Sequence, residues 1–153
     1  MKNYLFVLLI FFTATALAQT DTRIYDIIQK VSAKNIEADI TTLANFGTRN
    51  TFSDTLSSTR GIGAARRWIK AEFQQISSNC TNCLEVFYQK DLVKAATSKR
   101  VPKDTWVVNV VAIQKSKTGS NRYIIISGDI DSRNSDGSDF IKDAPGANDN
   151  ASG

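Results

Sequence analysis

Arg122-Tyr123-Ile124-Ile125-Ile126-Ser127-Gly128-Asp129-Ile130-Asp131-Ser132-Arg133 is an apolar run that ends in a glycine and two carboxylates. Such a run predicts a buried strand over residues 122–127. In open α/β sheets ligands bind outside the carboxyl ends of strands, where Asp129 and Asp131 would stand. The two acids lie two residues apart, so in extended backbone their side chains share one face. Farther along, Ala144-Pro145-Gly146-Ala147-Asn148-Asp149-Asn150-Ala151-Ser152-Gly153 brings a third carboxylate on a Pro-Gly turn. Acids gathered in this way are costly to hold together unless a cation joins them, and carboxylate oxygens are ordinary ligands of Zn²⁺. The plain alternative is a solvated acidic loop.

Upstream, Thr105 to Ile113 carries Trp106, Val107, Val108, Val110, Val111 and Ile113, a β-branched run of the kind found in strands covered on both faces. Leu84 to Leu92, with Val86 and Tyr88 in near alternation, predicts an edge or half-buried strand. Helical periodicity occupies the earlier chain. Ile24, Ile27, Ile28 and Val31, then Ile36, Ile40, Leu43 and Phe46, recur at steps of three and four between Thr22 and Phe46. Asn35 marks a break between two shorter helices, and Gly47 is a candidate C-cap. A second stripe, Ile62, Ala65, Trp68, Ile69, Phe73 and Ile76, predicts a helix over 61–76. Between them, residues 48–59 are rich in Ser, Thr, Asn and Asp, which favour turns. Helices followed by buried strands point to the α/β class.

The first eighteen residues stand apart: Lys2, an apolar run from Tyr4 to Phe12, and Ala16-Leu17-Ala18 before Gln19. This is the pattern of a secretory signal peptide, and its apolar core is shorter than the roughly 20 residues that span a bilayer. The expected organisation is therefore a signal peptide over 1–18 and part of a single domain over 19–153, exported to a secreted or periplasmic location. After cleavage no apolar stretch is long enough to cross a membrane. Nineteen Lys and Arg against fifteen Asp and Glu leave a net charge of +4. They are interspersed, which excludes the one-sided basic footprint of a nucleic-acid binder. The Cys80-x-x-Cys83 pair lacks the other Cys or His of a zinc knuckle, since the chain has two Cys and no His. Export favours a local disulfide between them. Residues 132–143 imitate a calcium loop only in part, because Ser132 and Asp143 fall where that loop places Asp and a bidentate Glu.

Gly128-Asp129-Ile130-Asp131-Ser132 and Ala144 to Gly153, with Leu43-Ala44-Asn45-Phe46-Gly47-Thr48-Arg49 and Gly61 to Ile69, resemble the secreted di-zinc aminopeptidase family that also holds the glutaminyl-peptide cyclases. The resemblance implies a three-layer α/β sandwich with a mixed, mostly parallel sheet, two zinc ions and a peptide substrate. It assigns Asp149 to the carboxylate that bridges both metals and Asp129 to the first terminal ligand. Asp131 takes the place of the acid that orients that ligand from behind. Asp129 departs from the family's His, which adds negative charge and removes the imidazole N–H that Asp131 would hold. The resemblance further implies a general-base Glu, a Glu ligand, an Asp and a His beyond Gly153. No catalytic residue is therefore expected within this chain, which reads as an inactive fragment. Two alternatives stand beside the aminopeptidase: a non-catalytic relative whose metal site has decayed, and a cyclase-like acyltransferase.

Overall fold

The computed structural model describes residues 21–152, so the expected signal peptide lies outside the described residues. The order of elements is α1 (Thr22–Gln29), α2 (Ala33–Asn45), α3 (Gly61–Asn79), β1 (Leu84–Val93) and β2 (Thr105–Gln114). These define an α/β chain with three helices and one two-stranded antiparallel sheet among the described residues. The chain divides into two units between Asn35 and Ile36.

In the first unit, α1 opens on Asp21, whose carboxylate accepts the Arg23 N–H at 3.0 Å and pairs with its guanidinium. This is an N-cap arrangement, which satisfies a donor the helix itself leaves free. The break predicted at Asn35 falls three residues earlier. The Ser32 Oγ accepts the Asn35 N–H at 3.2 Å, so serine caps α2 and Asn35 becomes part of the first turn. None of the α1 residues is buried.

The second unit is organised around the start of α3. Its first turns, Gly61 to Arg66, are buried, because the polar loop 48–60 folds over them. The Ser53 Oγ accepts the Ile62 N–H at 2.9 Å, and the Gly63 N–H donates to the Asp54 carbonyl at 3.1 Å. A side chain at Gly63 would meet the Thr55 carbonyl, so glycine is what lets loop and helix touch. Leu43, Ala65 and Ala151 form the buried apolar cluster, with Ile40, Phe46, Trp68 and Ile69 packed against it. Gly47 has φ +74° and ends α2 as its composition suggested.

α3 also lies against both strands. The Ser77 Oγ donates to the Leu84 carbonyl at 3.0 Å and accepts the Leu84 N–H at 3.1 Å, fixing where β1 begins. Cys80 and Cys83 are disulfide-bonded in the turn between, with Cα atoms 5.4 Å apart. Val86 pairs with Ala112 and Tyr88 with Val110, and these four half-buried residues share one face by the two-residue period of a strand. The Tyr88 hydroxyl donates to the Arg66 carbonyl at 3.4 Å on that side.

Two expectations about the sheet differ from what is observed. β2 was expected to be covered on both faces, yet Trp106 is 56% and Val107 38% exposed. The run Tyr123–Ile126 forms no strand, and its side chains are 87–94% exposed. The reason is that an apolar run specifies a buried environment and not a pairing partner. A parallel neighbour needs a crossover of about a dozen residues or more, and only residues 115–121 separate the run from β2. The observed sheet is the antiparallel β1–β2 pair, and the mixed, mostly parallel sheet is not built among the described residues.

Candidate metal centre

The carboxylate block is held in place by backbone tethers. Thr48 and Ala144 form a parallel β-bridge, and the Ala144 N–H donates to the Gly47 carbonyl at 2.7 Å. Seven residues on, the buried Ala151 side chain enters the apolar cluster beside Leu43 and Ala65, and its N–H donates to the Gly146 carbonyl at 2.9 Å. Residues 144–151 are thus fixed at both ends. Gly146 sits at φ +50°, and a Cβ there would fall 2.6 Å from that of Ser132 and on the Asp149 carbonyl oxygen. The Asp149–Asn150 peptide is cis.

Ser132 is 3% exposed and joins the other wall. Its hydroxyl donates to the Ala144 carbonyl at 2.6 Å and accepts the Arg49 N–H at 2.9 Å. Asp131, Ser132 and Arg133 therefore face Asp149 and Asn150 across an open polar cavity of about 190 Å³. The structure brings Asp131 and Asp149 together on this pocket. Asp129 is exposed and is not among the lining residues. A group of three or more His, Cys, Asp or Glu side chains able to hold a metal does not occur among the described residues.

Behind the pocket lies a residue to which the sequence reading attached no role. Arg49 is fully buried. Its Nε donates to the Ile130 carbonyl at 2.8 Å, and its Nη1 to the carbonyls of Leu43 at 2.8 Å and Pro145 at 2.6 Å. Its Nη2 donates to the Gly146 carbonyl at 2.9 Å. Burial lowers the Arg49 pKa below its ordinary value, and the Asp131 carboxylate partly offsets that effect. A sequence signal did exist, since Arg49 is the one cation in a stretch of small and polar residues that ends α2. Its partners are backbone carbonyls, however, which no residue pattern displays.

The acids of the imitation calcium loop are engaged elsewhere. The Asp136 carboxylate accepts from the Ser138 N–H and hydroxyl, and the Asp139 carboxylate accepts the N–H groups of Ile141 at 2.9 Å and Lys142 at 3.0 Å. Those bonds hold the Asp139 pKa down to about 2, the Lys142 backbone contributing most. These are turns of the kind Asp favours, with its oxygens turned toward the local backbone.

The pocket lining combines two carboxylates, a hydroxyl and a side-chain amide, whose oxygens could serve as cation ligands, with the guanidinium of Arg133. Similarity to known proteins bears on the class of chemistry. The chain is 41% identical over 133 residues to a probable zinc metalloprotease of Leptosphaeria maculans, covering 87% of this chain and 30% of that relative. A probable zinc metalloprotease of Pyrenophora teres f. teres is also 41% identical over 133 residues, 27% of its own length. One from Phaeosphaeria nodorum is 36% identical over 127 residues, covering 83% of this chain and 26% of the relative. The chain is therefore similar over most of its length to proteins named as zinc metalloproteases, and it spans less than a third of theirs. No family model matches the chain, and no solved structure matches it.

Proposed function

We propose that this chain carries part of the metal centre of an exported, zinc-dependent metallo-exopeptidase that releases amino-terminal residues from peptides. The observation that carries the reading is the convergence of Asp131 and Asp149 on one pocket from two segments remote in sequence. The similarity to probable zinc metalloproteases supports the class of chemistry. In this reading Asp149 would be shared by two zinc ions, and Asp129 or Asp131, the latter lining the same pocket, would hold one of them. When bound, paired cations acidify a water and polarise a scissile carbonyl. The chain's own part is to present carboxylates at a fixed spacing and to keep the Asp149 turn rigid. The completing ligands and the general base are not among the described residues, so the proposal attaches to a protein of the relatives' length. Residues 19–153 would be the opening part of a three-layer α/β domain, delivered by the 1–18 signal to a secreted or periplasmic location. Its partner would be peptide, with neither nucleic acid nor membrane engaged after cleavage.

A second reading, a non-catalytic relative with a decayed metal site, is favoured by one observation. Asp129 replaces a histidine in the resemblance and stands outside the pocket, while Arg49 and Arg133 supply positive charge beside Asp131 without any metal. Zinc content separates the two. In the protein at its relatives' length, stoichiometric zinc and an EDTA-sensitive aminopeptidase activity, both lost in Asp149→Ala, are expected. Full activity in that variant ends the first reading; absence of bound zinc from the unsubstituted protein establishes the second.

A further inference from the structure

We infer that Arg49 is a positioning residue for the carboxylate pocket, setting the separation of the Asp131 wall from the Asp149 wall. The inference deepens the zinc reading and rests on it for its metal-binding consequence, while its geometric content stands alone. The pocket has two walls, joined directly by the Ser132 hydroxyl on the Ala144 carbonyl and spanned from behind by Arg49. One wall follows Ile130, whose carbonyl accepts from Nε at 2.8 Å. The other follows Pro145 and Gly146, whose carbonyls accept from Nη1 at 2.6 Å and Nη2 at 2.9 Å. The same guanidinium reaches the Leu43 carbonyl at the end of α2, so both walls are referred to the helix that carries the core. The Arg49 backbone N–H adds the Ser132 hydroxyl, which itself reaches the Ala144 carbonyl.

Four of the five guanidinium N–H groups are thereby used on four carbonyls. A planar fork with fixed angles between its donors converts those bonds into a fixed distance between the segments that accept them. A lysine ammonium has three donors on a flexible stem and cannot hold four acceptors in that plane. Groups that orient metal ligands from behind change metal affinity by about 10- to 100-fold when removed, which is the scale expected here.

The test uses the protein at its relatives' length with Arg49→Met, Arg49→Lys and, as a control, Ile62→Ala, which opens the core under the 48–60 loop without touching the pocket. Amide exchange is followed by mass spectrometry for peptides covering 130–133 and 144–152, and Zn²⁺ affinity by competition with a chromophoric chelator. Arg49→Met is expected to speed exchange in both segments together and to weaken Zn²⁺ binding by about 10- to 100-fold. Arg49→Lys should give a smaller loss of the same kind and serves if the Met variant does not fold. Ile62→Ala, compared at equal loss of Tm, should leave both readouts within about twofold of the unsubstituted chain. Exchange in the two segments that matches the control, or Zn²⁺ affinity unchanged in the Arg49 variants, overturns the inference. If the unsubstituted protein at its relatives' length takes up no zinc but Arg49→Met loosens both segments, the zinc reading fails and the positioning role of Arg49 stands.

Discussion

Residues 123–126 and residues 144–151 are two short stretches at opposite extremes of attachment. The first is four bulky apolar side chains with exposures of 87–94%. The second is mostly small residues, yet it is tethered through Ala144, Pro145, Gly146 and Ala151 to α2, the 47–50 turn and the core. Hydrophobic content is therefore a poor guide to which part of this chain is locked. What separates the two is the supply of complementary partners. Backbone carbonyls near Asp149 find a buried guanidinium and a buried hydroxyl, whereas the Tyr123–Ile126 ladder finds no strand among the described residues to receive it.

The comparison breaks first at Arg49. Arg49→Ala strands the buried carbonyl oxygen of Leu43 and the partly buried ones of Ile130, Pro145 and Gly146, and a loss of about 3 kcal/mol is expected from urea unfolding. A loss under 1 kcal/mol would mean that water replaces the guanidinium and that the clamp is incidental. Next in size is Ser132→Ala, which removes one hydroxyl serving two buried backbone groups; about 2 kcal/mol should be lost in the same measurement. Because the Ala144 carbonyl is one of them, exchange at 144–151 should quicken together with that at 130–133.

The acid dependence of the 136–143 turn gives a smaller, local effect. The Asp139 pKa is depressed from 3.8 to about 2 by the Lys142 and Ile141 N–H groups. A carboxylate with a depressed folded pKa stabilises above its unfolded value and loses that contribution as pH falls through the folded one. The turn should thus loosen as pH drops from about 4 to about 2. Carboxyl chemical shifts titrating near 2, and loss of that window in Asp139→Asn, would confirm it; a midpoint near 3.8 would refute the hydrogen bonds. The smallest effect belongs to the other side of the comparison. Ile124→Lys should change stability by no more than about 0.5 kcal/mol, because the side chain is 92% exposed. A clear destabilisation by thermal melting would show that the strip is covered in solution.

Local elements were legible where one periodicity governs one element. The stripe from Ile62 to Ile76 located α3, although the helix runs on to Asn79 because the Cys80–Cys83 turn, and no glycine, ends it. Alternation at Val86 and Tyr88 located β1, and the β-branched run located β2. The site was legible only as residue types. Asp131 and Asp149 do share a pocket, but the residue that faces Asp149 there is Asp131, the acid assigned to the outer position, rather than Asp129. Spacing two residues apart puts both acids on one side only while the backbone stays extended, and residues 128–132 form no strand.

By itself the sequence determined the helices, the antiparallel pair's two strands, the turn-forming character of 48–59 and the presence of carboxylate and amide side chains near Pro145-Gly146. These depend on side-chain period and local backbone preference, which a linear pattern records. Only the tertiary structure decided which acids meet, that Arg49 holds both walls of their pocket, and that Tyr123–Ile126 stays unpaired. Each of those depends on backbone carbonyls and hydroxyls brought together from segments more than eighty residues apart, and every residue carries the same carbonyl whatever its side chain.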